Sequence, residues 1–237
     1  MLSIFFTAGA HDVTLEELMN GKGHIDYDNF ISGGKTDNIM TNASTFGEGL
    51  WLFTDLDEAK HWGDDQPVYK VDIDENKYNV VKIDNYDSKE NISTMLRYCS
   101  EYDKSKLPDM IMLPKETVYN ADVVFEALQS CNGTTRNPLT GEDREKAIEK
   151  NTDYVFNWFK ALKEKDMEAI KSEEYSWAYD SLLDNFEDGT TDDEVINGYK
   201  PDKGLDWVVV FSKGLMESLE FVEVWTLIRR IFGNEWY

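Results

Sequence analysis

The sequence has few cysteines, few basic residues and no long apolar run, and each shortage excludes a class of protein. Its two cysteines, Cys99 and Cys131, are too few for a disulfide framework and lack the spacing of a metal site. No apolar run approaches the roughly 18 residues of a membrane span, and a signal peptide would need a basic start that the first residues lack. We therefore expect a cytoplasmic protein with reduced cysteines and no membrane partner.

The charge is strongly acidic, with 47 Asp and Glu against 24 Lys and Arg, a formal net charge of −23. Such a surface repels the phosphates of nucleic acids, so we do not expect the chain to bind nucleic acid directly. With 41% hydrophobic and 13% aromatic residues, the chain still has enough apolar side chains for a folded core. The acidic excess either confers solubility or suits docking on a basic protein.

Hydrophobic periodicity predicts an α+β protein. Strands are expected at 3–7, 67–73, 78–83, 109–114, 205–211 and 219–225, and helices at 14–19, 56–62, 88–102 and 120–130. Residues 134–202 differ, because charged amphipathic helices are expected at 143–150, 154–165 and 166–185, followed by an acidic loop at 186–194. The sequence thus predicts a β core from 1–133 and 203–237, and an acidic helical insertion at 134–202.

One segment has the composition of a binding site: Phe46 to Thr54, which contains Gly47 and Gly49 before an aromatic strand. Two glycines allow the backbone to approach a ligand closely, and an aromatic side chain offers a flat surface to a planar ring. The third glycine of a dinucleotide fingerprint is missing, and no Gly-Lys-Ser/Thr phosphate loop occurs. A tight hairpin turn is the alternative interpretation of the glycine pair.

This segment and the acidic-Ala-Lys-x-Trp helix after it, Glu58 to Trp62, resemble the second motif of the ADP-ribosyltransferase superfamily. The similarity is greatest to small bacterial proteins of unknown function with the pattern Tyr-His-Gly-Ser and then Phe-Gly-x-Gly-Phe-Tyr-x-Thr-Thr. Later strands extend the resemblance over roughly residues 1–130 and 203–225. It implies a split, bent antiparallel β core with flanking helices that binds NAD as a substrate.

The resemblance also implies roles for individual residues in NAD binding. Trp51 would stack on nicotinamide with Leu50 beside it, Gly47 and Gly49 would permit close approach, and Thr54 would bond near the ribose. At the first motif, Thr7 stands where the family usually has a histidine that holds the adenosine ribose. This departure leaves open a noncatalytic relative on the same fold.

The third motif requires a carboxylate at the start of a late strand, and Asp206 occupies that position. Cleavage of the nicotinamide bond gives the ribose carbon oxocarbenium character, which a carboxylate bonded to the 2′-hydroxyl stabilises. The alignment admits a shift by one residue to Trp207, and Asp206 alternatively ends a solvated turn. Glu220 and Glu223 are rival acids, although alternation predicts that Glu220 faces water.

These patterns favour an NAD-dependent mono-ADP-ribosyltransferase that modifies a macromolecular acceptor, most simply a protein. The three histidines, His11, His24 and His61, are scattered, so no metal site is expected. One alternative is a noncatalytic acidic module that blocks a basic partner, for example a mobile-element protein that disarms a nucleic-acid enzyme. Another is a hydrolase in which two carboxylates such as Asp109 and Asp206 flank the bond that breaks.

Overall fold

The computed structural model describes residues 2–8, 19, 23–26, 49–63, 66–101, 103–134, 137–183, 190–198 and 204–224. The chain divides into two compact units. The sheet unit comprises Met1–Lys82, Asp103–Met112 and Asp206–Tyr237, and the helical unit comprises Ile83–Tyr102 and Leu113–Leu205. The helical unit thus contains the segment 134–202 that the sequence predicts as an insertion, together with helices before it.

A mixed seven-stranded sheet, in the order β4-β5-β8-β2-β1-β3-β9, forms the core of the sheet unit, and a two-stranded pair, β6-β7, lies in the helical unit. The strands of the described residues are β1 Leu2–Ala8, β2 Leu50–Phe53, β3 Val68–Asp74, β4 Val80–Lys82, β5 Met110–Pro114, β6 Gly133–Thr134, β7 Asn137–Pro138, β8 Leu205–Val210 and β9 Val222–Glu223. The α+β class predicted from the sequence is confirmed.

The prediction of a split, bent antiparallel core requires correction at one pair of strands, because β4 and β5 pair in parallel, with Val80 opposite Met110. Parallel neighbours need a long crossover connection, and 27 residues, 83–109, separate these two strands. The pairs β1–β2, β1–β3, β2–β8 and β3–β9 are antiparallel. The sheet is therefore antiparallel around β1 and β2, where the candidate site lies.

Residue patterns account for the buried strands. All five residues of β5 are buried, as the nearly continuous apolar run at 109–114 predicts. In β3, Val71 and Ile73 are buried while Asp72 is exposed, which is the alternation typical of a strand with one covered face. The strand predicted at 219–225 is shorter than expected, because only Val222–Glu223 is extended and paired among the described residues.

The helices of the described residues are α1 Leu56–Gly63, α2 Lys89–Cys99, α3 Glu116–Tyr119, α4 Ala121–Asn132, α5 Gly141–Glu164, α6 Met167–Ile170, α7 Ser176–Leu183, α8 Asp192–Gly198 and α9 Lys213–Ser218. The face predicted for α2 is confirmed, since its buried residues are Ile92, Met95, Leu96 and Cys99. Ser88 caps this helix by accepting a hydrogen bond from the Asn91 backbone N–H at 3.1 Å. Of the helix predicted at 14–19, only Met19 is described, and it forms an isolated bridge with Ile25.

The helices predicted at 143–150 and 154–165 are one continuous helix of 24 residues, α5. The polar pair Asn151 and Thr152 does not interrupt it, because both side chains bond to carbonyl oxygens one turn earlier. Asn151 Nδ2 donates to the Ala147 oxygen at 2.7 Å, and Thr152 Oγ1 donates to the Ile148 oxygen at 2.7 Å. The helix ends at Lys165, whose φ of 58° is left-handed.

The prediction of a single helix at 166–185 and an acidic loop at 186–194 also requires correction. Residues 166–183 contain two helices, α6 and α7, and residues 184–189 lie outside the described part of the chain. Asp192, Asp193 and Glu194 form the first turn of α8, where carboxylates favour the helix dipole. Glu194 accepts hydrogen bonds from the N–H and the hydroxyl of Thr191 at 2.8 Å, so the acidic run starts a helix.

Candidate functional site

The three sequence segments with predicted site residues lie on three adjacent strands of the sheet unit. β2 pairs with β1 on one side, where Phe6 is opposite Phe53, and with β8 on the other, where Trp207 is opposite Phe53. Thr7, the segment 49–54 and Asp206 are far apart in sequence but become neighbours through this pairing. The prediction did not include strand order, which follows from pairing between distant segments.

Asp206 is the most unusual residue of this cluster, because its carboxylate is buried, with 3% of the residue exposed. Oδ1 accepts a hydrogen bond from Thr54 Oγ1 at 2.7 Å, and the Asp206 backbone oxygen accepts one from the Thr54 N–H at 2.9 Å. Oδ2 is also buried, and within the described part of the chain it has no hydrogen-bond partner. A buried polar atom without a partner is rare and costly, so it identifies a candidate for binding or catalysis.

Strand alternation defines two faces at this position. Phe53 is opposite both Phe6 and Trp207, so these three side chains share one face with Trp51, two residues before Phe53. We call this the indole face. The other side of the sheet, which we call the acid face, carries the residues that are out of phase with these by one position: Thr7, Leu50, Thr54 and Asp206. The hydrogen bond between Thr54 and Asp206 agrees with this assignment.

Trp51 is buried on the indole face, with 6% of its surface exposed. Its ring contacts that of Trp207 edge-on, with centroids 5.0 Å apart and an interplanar angle of 71°, and Trp207 contacts Phe53 at 6.1 Å. A nicotinamide ring stacked on Trp51 would lie on the opposite side of the sheet from the Asp206 carboxylate. The structure thus brings Asp206 and Thr54 together but does not bring Trp51 to them.

Thr7 and Leu50 are the other predicted binding residues on the acid face, and both are completely buried. Thr7 Oγ1 donates a hydrogen bond to the Trp51 backbone oxygen at 2.9 Å, which fixes β1 to β2. Leu50 contributes apolar surface and no polar group.

Gly49 allows a close approach, but the group that comes close is β8. A Cβ at this position would lie 2.3 Å from Val209 Cγ1 and 3.3 Å from the Val210 backbone oxygen. Only a residue without a side chain fits at these distances. Gly47, the other predicted glycine, lies outside the described residues.

The rival acids have other roles or positions. Asp109 Oδ2 accepts a hydrogen bond from the Asn79 N–H at 2.8 Å, and the Asp109 backbone oxygen accepts from Phe211 N–H at 2.9 Å. Phe211 is five residues beyond Asp206, so the two carboxylates are about 16 Å apart along the sheet. This separation exceeds the roughly 6.5–9.5 Å of paired hydrolytic carboxylates. Glu220 is exposed, as alternation predicts.

The described residues contain neither a metal site nor a reactive cysteine. Among the described residues, no group of three His, Cys, Asp or Glu side chains has an arrangement that could hold a metal ion. Cys99 and Cys131 are buried and free, and burial raises the pKa of the Cys131 thiol to about 11 and that of Cys99 further. A thiol with a raised pKa is a poor nucleophile at neutral pH, so neither cysteine is a candidate for covalent chemistry.

A groove of about 550 Å³ runs between α2 and α5 in the helical unit. Each of its three basic side chains is paired with a carboxylate. Arg97 donates to both oxygens of Glu145 at 2.6 and 2.8 Å, which lowers the pKa of that carboxyl, while Lys89 pairs with Asp153 and Lys146 with Glu142, both at 2.7 Å. Because every basic side chain that lines the groove already has a partner, we assign the groove no ligand.

The sequence does not predict the packing role of Trp207. The family resemblance admits it only as a shifted position for the acid, whereas its ring contacts both Trp51 and Phe53. Apart from its tryptophan, the segment 205–211 has the pattern of a buried strand. Only its register with β2 identifies the contact of Trp207 with Trp51 and Phe53. Asp206 and Trp207, adjacent in sequence, therefore belong to different faces.

No described helix combines the length and apolar character needed to cross a bilayer. Comparisons of the chain with protein-family models, with curated proteins and with solved structures found no match.

Proposed function

We propose that the chain is an NAD-dependent mono-ADP-ribosyltransferase with the split β core of that superfamily, and that Asp206 is its catalytic acid. The observation that carries the proposal is the buried Asp206 carboxylate, with one oxygen held by Thr54 and the other without a described partner. The two residues come from the second and third segments of the family resemblance, on neighbouring strands. A fixed, partly unsatisfied carboxylate is suited to binding a ribose hydroxyl.

The proposed chemistry is group transfer at the ribose carbon bonded to nicotinamide. That carbon–nitrogen bond breaks, its electron pair leaves with neutral nicotinamide, and the ribose carbon gains positive character. The acceptor nucleophile then forms the new bond and loses its proton to solvent. Asp206 Oδ2 would accept a hydrogen bond from the 2′-hydroxyl, which strengthens as charge develops, and Thr54 would hold the carboxylate in that orientation.

The assignment of faces limits which residues would contact NAD in this proposal. Thr7, Leu50 and Thr54 share the acid face with Asp206, but Thr7 and Leu50 are completely buried, so of these three the half-buried Thr54 would contact the ribose. Trp51 is buried against Trp207 on the indole face, so its part is to pack β2 against β8. The proposal therefore keeps the acid and the ribose contacts of the family resemblance but not the stacking of nicotinamide on Trp51.

A protein acceptor is the substrate class most compatible with the charge. At a net charge of −23 the chain repels nucleic-acid phosphates but attracts basic polypeptides. The acceptor in this proposal is a protein with a basic surface.

Transfer is tested by incubating the native chain with cell lysate and NAD that carries an isotope label on either the adenosine or the nicotinamide. We expect mass spectrometry to find the adenosine label on protein side chains and the nicotinamide label only in free nicotinamide. Heat-denatured protein is the control. If neither label becomes bound to protein, or if both do, the proposed transfer is wrong.

A noncatalytic acidic module is a second candidate, favoured by the burial of Trp51 and by threonine in the first motif. Such a module would occupy the basic surface of a partner and need no NAD. In the labelled-NAD experiment it gives no transfer, while capture of a purified basic partner is unchanged in Asp206→Asn. Loss of capture in that variant would contradict this second candidate.

A further inference from the structure

A row of aromatic side chains leads from the core of the helical unit to its surface. Trp158 is buried at 1% exposure, its ring contacts Tyr175 at 5.2 Å, and Tyr175 stacks on Tyr154 at 4.9 Å. Trp177 on α7, two residues after Tyr175, is a large apolar side chain that is 38% exposed. Trp158 and Tyr175 are buried and Tyr154 is half-buried, so the exposure of Trp177 requires a separate explanation.

Hydrogen bonds hold the aromatic row in place. The Tyr154 hydroxyl donates to Glu126 Oε2 at 2.7 Å. The Tyr175 hydroxyl donates to the Tyr154 backbone oxygen at 2.7 Å. Burial, with the neighbouring Glu126, raises the pKa of Tyr154, so its hydroxyl stays protonated. A surface whose neighbouring side chains are fixed in this way loses little conformational entropy on binding.

Exposed carboxylates flank Trp177 along the chain. The nearest basic residue in sequence, Lys171, pairs with Asp192, and its Nζ lies 5.2 Å from the centroid of the Tyr179 ring. Residues 172–199 contain nine acidic residues and no Lys or Arg: Glu173, Glu174, Asp180, Asp184, Glu187, Asp188, Asp192, Asp193 and Glu194. Glu173, Glu174 and Asp180 are exposed and lie four and three residues before, and three residues after, Trp177. Within the described part of the chain none of these three forms an ion pair.

We propose that the Trp177 surface, formed by Trp177, Glu173, Glu174 and Asp180, docks an arginine-rich segment of a basic protein. A guanidinium can stack on the indole face while its N–H groups bond to the surrounding carboxylates. Fixed tryptophans with a polar rim are typical of the residues that dominate binding energy. The inference does not depend on the proposed transfer, because the surface belongs to the helical unit and uses none of the acid-face residues.

Charge complementarity selects this occupant over others. A second copy of the chain, a nucleic acid or an anionic membrane would bring negative charge toward these carboxylates. An apolar partner would leave three carboxylates buried and unpaired, which is costly. An arginine-rich segment satisfies both the aromatic ring and the carboxylates.

Fluorescence anisotropy with a labelled decapeptide of alternating arginine and glycine tests the proposal at about 0.15 M salt, where nonspecific attraction is screened. We expect saturable binding, a roughly tenfold higher Kd in Trp177→Ala, and a smaller increase in Trp177→Phe. The pair Glu173→Gln/Glu174→Gln should also weaken binding. The matched pair Asp143→Asn/Glu149→Gln removes two exposed carboxylates from α5 and should leave the Kd within about twofold.

Several outcomes would overturn the proposal. If Trp177→Ala bound the peptide as tightly as the native protein, the attraction would come from net charge alone. The same conclusion would follow if the two carboxylate double variants lost equal peptide affinity. Binding of an alternating glutamate and glycine peptide with similar affinity would exclude recognition of positive charge. A dimer in light scattering that Trp177→Ala dissociates would assign the surface to self-association. Circular dichroism establishes that each variant is folded.

Discussion

Asp206→Asn is expected to lower the rate of ADP-ribose transfer by about 10²- to 10³-fold while the protein stays folded. Asparagine preserves the shape of the side chain, and its amide oxygen can still accept the hydrogen bond from Thr54 Oγ1. It lacks the negative charge that would stabilise the positive ribose carbon. The measurement is the initial rate of label transfer from adenosine-labelled NAD at saturating NAD.

The matched control is Glu220→Gln, which removes an exposed carboxylate from the same unit. Its transfer rate should stay within about twofold of the native rate, because an exposed charge contributes little at physiological salt. Native activity in Asp206→Asn would contradict the role assigned to Asp206. An equal loss in both variants would indicate that overall charge, and not the acid face, controls the rate.

Gly49→Ala is expected to destabilise the protein by about 2 kcal/mol or more, near the upper part of the range for an overpacked core. The new Cβ would lie 2.3 Å from Val209 Cγ1, and a branched side chain on a buried strand has few alternative rotamers. The free energy of unfolding from urea denaturation, followed by tryptophan fluorescence, measures the effect.

Two variants test the cause of that destabilisation. Gly214→Ala, in α9, should be neutral or stabilising, because its nearest neighbour is Ser212 Oγ at 3.9 Å and alanine favours a helix. The double variant Gly49→Ala/Val209→Ala should be more stable than the sum of the single effects, since it removes the clashing methyl group. A Gly49→Ala protein as stable as the native one would mean that β2 and β8 are not packed this closely.

The sequence predicted most of the individual elements, because their signals are local. The face of α2 follows from apolar residues at helical spacing, and β5 follows from an apolar run that proline ends. The continuity of α5 was missed, because the polar pair Asn151 and Thr152 resembles a break between two helices. Their side-chain bonds to Ala147 and Ile148 are formed only once the helix exists.

The sequence predicted candidate site residues but not their arrangement. The family resemblance implies roles for Asp206, Thr54 and Trp51, which stay predictions, and a motif does not state which side of a sheet each residue occupies. That depends on register: Phe53 opposite Trp207 puts Trp51 with Trp207 and leaves Asp206 with Thr54. Likewise, the glycine pattern indicated a close approach at Gly49, but only the structure identifies Val209 as the neighbouring group.

The central claim is that the acid face around Asp206 and Thr54 binds NAD, and isothermal titration of NAD into the native chain and Thr54→Val tests it most directly. Valine keeps the shape of threonine but removes the hydroxyl that bonds to Asp206 Oδ1. The prediction is saturable binding to the native chain and about tenfold weaker binding to Thr54→Val. The claim would be contradicted if the native protein gave no saturable heat at millimolar NAD. It would also be contradicted if Thr54→Val bound NAD as tightly as the native chain while Trp51→Phe lost NAD binding.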